Sequence, residues 1–293
     1  MKQILKSPLN NNNLEPYISC KDYTVSHETF SIFIDKKNEL LITTPQPLIE
    51  NLGKYYESEE YISHSNTSKT VIDKVYQRVR NHTIKKKVKL INSFNCEEKT
   101  ILDIGAGTGD FLAACKNNGW QIAGVEPNDK ARTIACKKTQ GDLQIMESLE
   151  KFNGNTFDVI TMWHVLEHVP NLTAYISQLK LFLKPKGTLI IAVPNFKSYD
   201  ANYYKEFWAA YDVPRHLWHF SKKSIQELFR KEKMEVVKVV PMKFDSYYVS
   251  LLSEKNKTGK SNFIKAFFIG FKSNIKARTS KESSSHIYII KNN

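Results

Sequence analysis

ILDIGAGTGDF, residues 101–111, carries an apolar run straight into three glycines, Gly105, Gly107 and Gly109, and then into residues of helical character. Glycine at the end of a strand lets the chain turn sharply and lets a ligand approach the backbone with no Cβ in the way. The dinucleotide pattern G-x-G-x-x-G is not met, because the third glycine comes one residue early. Two acids sharpen the reading. Asp103 lies inside the strand, where a carboxylate is costly to bury unless it meets a cation or several donors. Glu126 closes the next apolar run, roughly 20 residues on, where nucleotide-binding folds place an acid on ribose hydroxyls.

Outward from this point, short apolar runs alternate with longer segments of helical period, the pattern of an α/β fold with a mostly parallel sheet. The expected strands are ILDIG (101–105), IAGVE (122–126), LQIM (143–146), FDVITMW (157–163), TLIIAVP (188–194), EVVKVVPM (235–242) and HIYII (286–290). Helices are expected at 111–117, 130–138, 173–183 and 224–231, with Asp110, Asn128, Asn171 and Ser221 as capping residues. Two stretches interrupt the alternation. Residues 195–220 are rich in Tyr, Trp and His, and residues 244–285 contain the basic, aromatic FIKAFFIGFKSNIKAR, which reads as a helical lid.

Taken together and in this order, ILDIGAGTGDF, GVEPN, FDVITMWHVLEHV and LKPKGTLIIAVPN resemble the motifs of class I S-adenosylmethionine-dependent methyltransferases. YDVPRHLWHFS (211–221) is similar to the small-molecule branch that includes the ubiquinone-biosynthesis O-methyltransferases. The resemblance covers about two thirds of the chain. It implies a Rossmann-like seven-stranded sheet in the order 3-2-1-4-5-7-6 with the last strand antiparallel. It also implies S-adenosylmethionine as cofactor and S-adenosylhomocysteine as product. By the same resemblance Asp103, Gly105 and Gly107 line the methionine end, with Ala106 and Gly109 completing the loop. Glu126, followed by Pro127, takes the ribose; Ser148 and Leu149 flank adenine; Met162, Trp163 and His164 pass beneath the methionine moiety. Ala106 stands where the family often has Cys, a small-for-small change.

Methyl transfer to oxygen needs an aligned acceptor and a group that takes a proton. The candidate catalytic residues are His216, His219, Tyr211 and His168, with His164 a further titratable group near the loop. His164, Glu167 and His168 fall at i, i+3 and i+4, on one face if the chain turns helical there. Such spacing can ligate a metal, and the similar ubiquinone-pathway enzymes suggest a divalent ion near an acidic version of this segment. His164 departs from that version, and no metal is assigned.

The chain divides into an N-terminal extension, residues 1–95, and a catalytic domain, residues 96–293, with insertions at 195–220 and 244–285. The extension holds a β-like stretch from Thr29 to Thr43 and, further on, a polar segment of helical period. Members with this motif set often carry a small zinc module ahead of a segment resembling YYESEEYISH, here Tyr55 to His64. Cys20 reads as a relic of one cysteine pair, and Asp35 and Asn38 stand where a C-x-x-C is expected, so the module is degenerate and no zinc is expected.

Hydrophobic residues make up 41% of the 293, which excludes a disordered chain. The net charge of +13 suits an anionic partner, yet only Lys85 to Lys87 form a run, and that triplet reads as a solvated helix face. Four separated cysteines, no leader-like start and no long apolar run point to a cytoplasmic protein with no transmembrane segment. The expected partner is a small-molecule acceptor rather than nucleic acid, with peripheral membrane contact open through the basic aromatic lid. The acceptor and the oligomeric state are not legible. An RNA or protein methyltransferase is the first alternative, requiring a basic, aromatic surface beside the cleft. A cofactor-binding module without turnover is the second.

Overall fold

The computed structural model describes residues 1–56, 71–140 and 144–293. Most of YYESEEYISH, from Glu57 on, and Leu143, expected to open the third strand, lie outside the described residues. The chain begins as an antiparallel meander of β1 (Glu15–Lys21), β2 (Thr29–Asp35) and β3 (Leu40–Thr44). The stretch read as one β-like segment is thus a hairpin, β2 and β3, turning at Asp35 to Asn38. A single helical turn α1 (Ile49–Leu52) and the long helix α2 (Val71–Ile91) follow.

The alternation then unfolds as β4 (Thr100–Ile104), α3 (Asp110–Lys116), β5 (Gln121–Val125), α4 (Asp129–Lys138), β6 (Gln144–Met146), β7 (Phe157–Trp163), α5 (Leu172–Phe182) and β8 (Leu183–Pro194). Beyond β8 come α6 (Tyr199–Tyr204), β9 (Trp218–His219), α7 (Lys222–Lys231), β10 (Met234–Pro241), α8 (Asp245–Thr258), α9 (Phe263–Ser280) and β11 (Ser285–Asn292). The large sheet has the order β6-β5-β4-β7-β8-β11-β10, and β11 runs antiparallel to both neighbours. In terms of the seven expected strands this is 3-2-1-4-5-7-6. β7 and β8 are apolar almost without alternation because helices cover both faces of the sheet.

The caps follow local chemistry with two corrections, the first being that Asn171 precedes α5 without a side-chain hydrogen bond to it. Asn128 accepts from the Ala131 N–H at 3.0 Å, and Ser221 and Ser224 exchange hydrogen bonds as a capping box. The residue that caps α3 is Gly109 in a left-handed conformation, not Asp110. Asp110 is instead the first helical residue, where its carboxylate gathers Arg80 at 2.5 Å and Lys138 at 2.8 Å.

β3 explains how the N-terminal meander joins the rest. Its two-residue period sends Leu40 and Ile42 into the main core, beside Leu217, Trp218 and Phe220. Leu41 faces a second cluster, which combines Cys20, Phe30 and Ile32 of the meander with Tyr204, Trp208 and Tyr211 of the 195–220 insertion. The extension therefore shares its core with the insertion, and β9 adds to β3 as a fourth strand, pairing Leu41 with His219 and Ile42 with Trp218. A third cluster, built from Val88, Ile91, Ile101, Leu112 and Trp120, packs α2 and α3 on the sheet.

The zinc-type turn is filled by its own side chains. Asp35 accepts from Ser7 Oγ at 2.5 Å and Asn38 Nδ2 at 2.7 Å, with further donors at Asn10 Nδ2 and the Lys37 and Asn38 N–H groups. Cys20 is not part of this cluster: it pairs with Phe30, whereas the β1 residue beside Asp35's neighbour Ile34 is Glu15. Five residues of strand, about 17 Å, separate the two ends. A carboxylate whose lone pairs are taken by five donors has none to offer a metal. Elemental analysis of purified protein should find no stoichiometric zinc; one zinc per chain surviving dialysis would overturn this reading.

Candidate functional site

Parallel strands put their carboxyl ends at one edge, and where neighbouring connections leave in opposite directions a crevice opens. Here β4 connects onward to β5 on one side and has β7 on the other, so that edge is formed by the ends of β4, β5 and β7. The register aligns Ile104 with both Val125 and Met162, which brings Gly105, Glu126 and Trp163 side by side one step further on.

The glycine loop is held by backbone bonds from Gly105 and Ala106 to the Val125 carbonyl, at 2.8 and 3.0 Å. Gly107 has φ +55, and a Cβ there would point into open space, as expected for backbone that a ligand approaches. Gly109 serves packing instead, since a Cβ on it would lie 2.8 Å from Ala135 Cα. Glu126 spans the loop mouth: Oε2 accepts from the Gly107 N–H at 2.8 Å and Oε1 from the Asn128 N–H at 2.9 Å. Pro127, next to it, is exposed.

Asp103 is buried beneath the loop and accepts a 2.6 Å hydrogen bond from Thr161 Oγ1. Burial pushes its pKa up to about 7, against the pull of Thr161 and of the Lys87 charge. Lys87 answers it from α2. Its ammonium lies 4.1 Å from the centre of the Trp163 ring, and burial lowers its pKa to about 8 while Asp103 and Asp245 counteract. The Lys85 to Lys87 run is thus not a uniform solvated face: Lys87 is half-buried at the site. Helical period offered a signal, since Lys87 adjoins the buried Val88 and Ile91.

Of the other residues assigned to the crevice, Met162 is fully buried under the loop, Ala106 and Leu149 are buried, and Ser148 is half-buried ahead of the turn Leu149–Phe152. Trp163 packs edge-on against Phe111 at 5.7 Å, and its buried Nε1 has no partner among the described residues. His164 adopts φ 58 and leaves the strand between two acids. Its Nε2 is 3.1 Å from Asp245 of α8, and its Nδ1 is 3.5 Å from Glu167. Burial opposes a charge there, but the two carboxylates prevail and raise its pKa to about 10. Asp245, which closes the crevice from the second insertion, carried no motif and was not anticipated.

The expected face of His164, Glu167 and His168 does not form, because the chain takes a three-residue 3-10 turn, Leu166–His168, rather than an α-helix. Tertiary contact builds a different group: Glu167, His168 and His216 present ligand atoms within 4.8 Å of one another. The His168 and His216 rings meet edge-on at 4.6 Å. Burial and the neighbouring His216 lower His168 to a pKa of about 4. His216 Nδ1 donates to the Ala210 carbonyl at 2.9 Å, and its Nε2 lies 3.9 Å from Asp212. Neither carboxylate oxygen of the buried Glu167 has a hydrogen-bond partner among the described residues.

His219 and Tyr211 are placed differently. His219 sits within the β3–β9 ladder with Nε2 3.0 Å from Thr43 Oγ1, and burial depresses its pKa well below the ordinary imidazole value. Thr43 already donates to the His216 carbonyl, so His219 Nε2 is the donor of that pair. Tyr211 packs edge-on against both His219 and Trp208, and burial raises its pKa. Both are joints between the meander and the insertion.

A family model described as a methyltransferase domain matches residues 76–239, more than half of the chain. Among curated proteins, the ubiquinone biosynthesis O-methyltransferase of Histophilus somni (strain 2336) is 33% identical over 111 residues, which is 33% of this chain and 46% of that protein. The enzyme of the same description from Rickettsia prowazekii (strain Madrid E) is 28% identical over 149 residues, 48% of this chain and 59% of that one. The chain spans about half the length of the curated relatives it matches. Among solved structures, magnesium protoporphyrin IX methyltransferase of Synechocystis PCC 6803, with bound SAH, superposes with a TM-score of 0.54 at 14% identity, covering 82% of this chain and 97% of that one. Coclaurine N-methyltransferase gives 0.51 at 11%, covering 84% and 81%. At these identities the likeness concerns the fold alone.

Proposed function

The chain belongs to the methyltransferase-domain family, and from that premise we propose that it moves a methyl group from S-adenosylmethionine to a small-molecule acceptor, with oxygen as the accepting atom. The observation that carries this reading is the meeting of Asp103, Gly107 and Glu126 at the carboxyl ends of β4 and β5. The residues present fit the cofactor. Buried Asp103, with one short hydrogen bond, suits an ammonium group, Lys87 beside it suits a carboxylate, and Glu126 at the loop mouth suits a ribose diol. S-adenosylmethionine supplies a sulfonium-bound methyl that leaves readily by in-line displacement. The chain's own task is to orient the acceptor and take its proton. In this reading His216 accepts that proton at Nε2, and ionised Asp212 stabilises the resulting imidazolium.

Calorimetry tests the cofactor half. Glu126→Ala should weaken S-adenosylmethionine binding by about 1.5 to 3 kcal/mol for each charge-assisted hydrogen bond lost. Wild-type affinity should fall as pH drops through about 7, because protonated Asp103 no longer pairs with an ammonium, and should fall again above about 8, where Lys87 loses the charge that meets the carboxylate. Unchanged affinity in the variant, or tight NAD binding by the wild type, would sink the assignment.

One observation favours a second reading. Glu167, His168 and His216 combine a buried carboxylate, whose nearest cation is His164 Nδ1 at 3.5 Å, with two imidazoles, a donor set suited to a divalent ion. Such an ion would polarise an acceptor oxygen in place of a protein base.

A further inference from the structure

Helix α9 is built inside out. Its buried residues are Ala266, Ile269, Gly270 and Ser273, whereas Phe263, Ile264, Phe267, Phe268, Phe271 and Ile275 are exposed. At about 100° per residue these six fall within an arc of roughly 140°, a single stripe. Ile264 is 73% and Phe268 62% exposed, and Phe267 stacks on Phe271 and on Tyr247 of α8 to make the stripe continuous.

The inner face is fixed by small and polar groups, so the stripe cannot turn inward. A Cβ on Gly270 would come within 2.9 Å of the Ser246 carbonyl and Tyr247 Cα, which shows how closely α8 and α9 approach. Ser246 donates to the Gly270 carbonyl at 3.1 Å, and Ser273 donates to buried Asp200 at 2.6 Å. A soluble helix buries its apolar stripe against its own core. This one offers the stripe to a partner.

Charge identifies the partner. α9 contains Lys265, Lys272, Lys276 and Arg278 and no acidic residue, within a chain of net charge +13. Lys265, Lys272 and Lys276 follow one edge of the stripe; Lys265 is paired with Glu254 of α8 at 3.2 Å, and Lys272 and Lys276 give the arrangement of a helix lying in a membrane interface with its apolar side down and its cations on lipid phosphates. A second copy of the chain would oppose two basic faces. Single-stranded RNA would need the cations and stacking rings on one accessible groove, whereas aliphatic Ile264 and Ile275 lie between most of the phenylalanines and the lysine edge.

We propose that the outward face of α9 docks the protein on an anionic lipid surface. Docking rests on this face alone and not on the transfer reaction. The α8–α9 hairpin also supplies Asp245 to the crevice, so the docked face and the crevice belong to one insertion.

Co-sedimentation of the full chain with vesicles tests the proposal. The protein should sediment with vesicles containing one third phosphatidylglycerol, much less with pure phosphatidylcholine, and less as salt is raised. Phe267→Ser with Phe268→Ser should reduce binding at least tenfold with an unchanged circular dichroism spectrum. Lys276→Glu with Arg278→Glu, which leaves every apolar residue of the stripe in place, should also reduce it and abolish the preference for phosphatidylglycerol. Failure of the wild type to sediment, or wild-type binding by both variants, would overturn the proposal. So would light scattering showing a lipid-free dimer that the phenylalanine variant dissociates, or tighter binding to polyuridylate than to the vesicles.

Discussion

Replacing Arg215 by alanine is expected to lower the free energy of unfolding by about 3 to 5 kcal/mol, the scale for removing one partner of a buried ion pair. Arg215 is 2% exposed and binds three segments at once: Asp22 at 2.9 Å, Asp212 at 2.7 Å and the Tyr55 carbonyl at 3.0 Å. Its loss leaves the fully buried Asp22 with no cation, held only by the Thr24, Val25 and Ser26 N–H groups and the Ser26 hydroxyl. Burial works against ionisation of Asp22, but Arg215 and the N–H groups of Ser26 and Thr24 outweigh it and hold the pKa down to about 2. A carboxylate depressed on folding contributes stability that is complete above its unfolded pKa, near 3.8, and is lost as pH falls through about 2. The wild type should therefore resist acid better than Arg215→Ala, whose acid-unfolding midpoint moves to higher pH. Urea unfolding at neutral pH and an acid titration followed by circular dichroism measure both. A loss under 1 kcal/mol would mean that the meander is held by apolar packing alone.

The second large effect concerns turnover. His216→Ala should lower the methyl-transfer rate by ~100-fold or more with little change in cofactor affinity, the scale for a lost general base. His219→Ala should instead act on stability, because it removes a donor to Thr43 from a buried ladder. His168→Ala separates the two readings of the Glu167 group. If His216 is the base, a chelator leaves the wild-type rate unchanged and His168→Ala mainly perturbs packing. If an ion is held there, chelation stops turnover, divalent metal restores it, and either histidine variant is equally impaired. In a structure with bound S-adenosylhomocysteine, a His216 imidazole more than about 10 Å from the sulfur would exclude it as the direct base.

Much of this was legible in the sequence, for a reason that separates local from distant physics. The positions of the strands, the glycine turn and the placement of Asp103 and Glu126 follow from hydrophobic period and backbone freedom at glycine, properties of a dozen neighbouring residues, while the strand order was implied only by the family resemblance of the motifs. Even Asn128 and Ser221 could be read as caps, because a cap bonds only its own first turn. What tertiary structure alone decided are meetings between segments whose individual patterns are ordinary. Lys87 looked like one lysine of a solvated run until α2 packed beside Trp163. Arg215 and Asp22 are 193 residues apart and neither has a motif that names the other. The histidines of PRHLWHF carried equal promise in one dimension, yet the two-residue strand β9 commits His219 to Thr43 while His216 turns toward His168. Likewise FIKAFFIGFKSNIKAR read as a basic, aromatic helical lid, but composition is silent about which side of the helix its aromatics take. Only the close approach at Gly270 determined that the stripe faces outward.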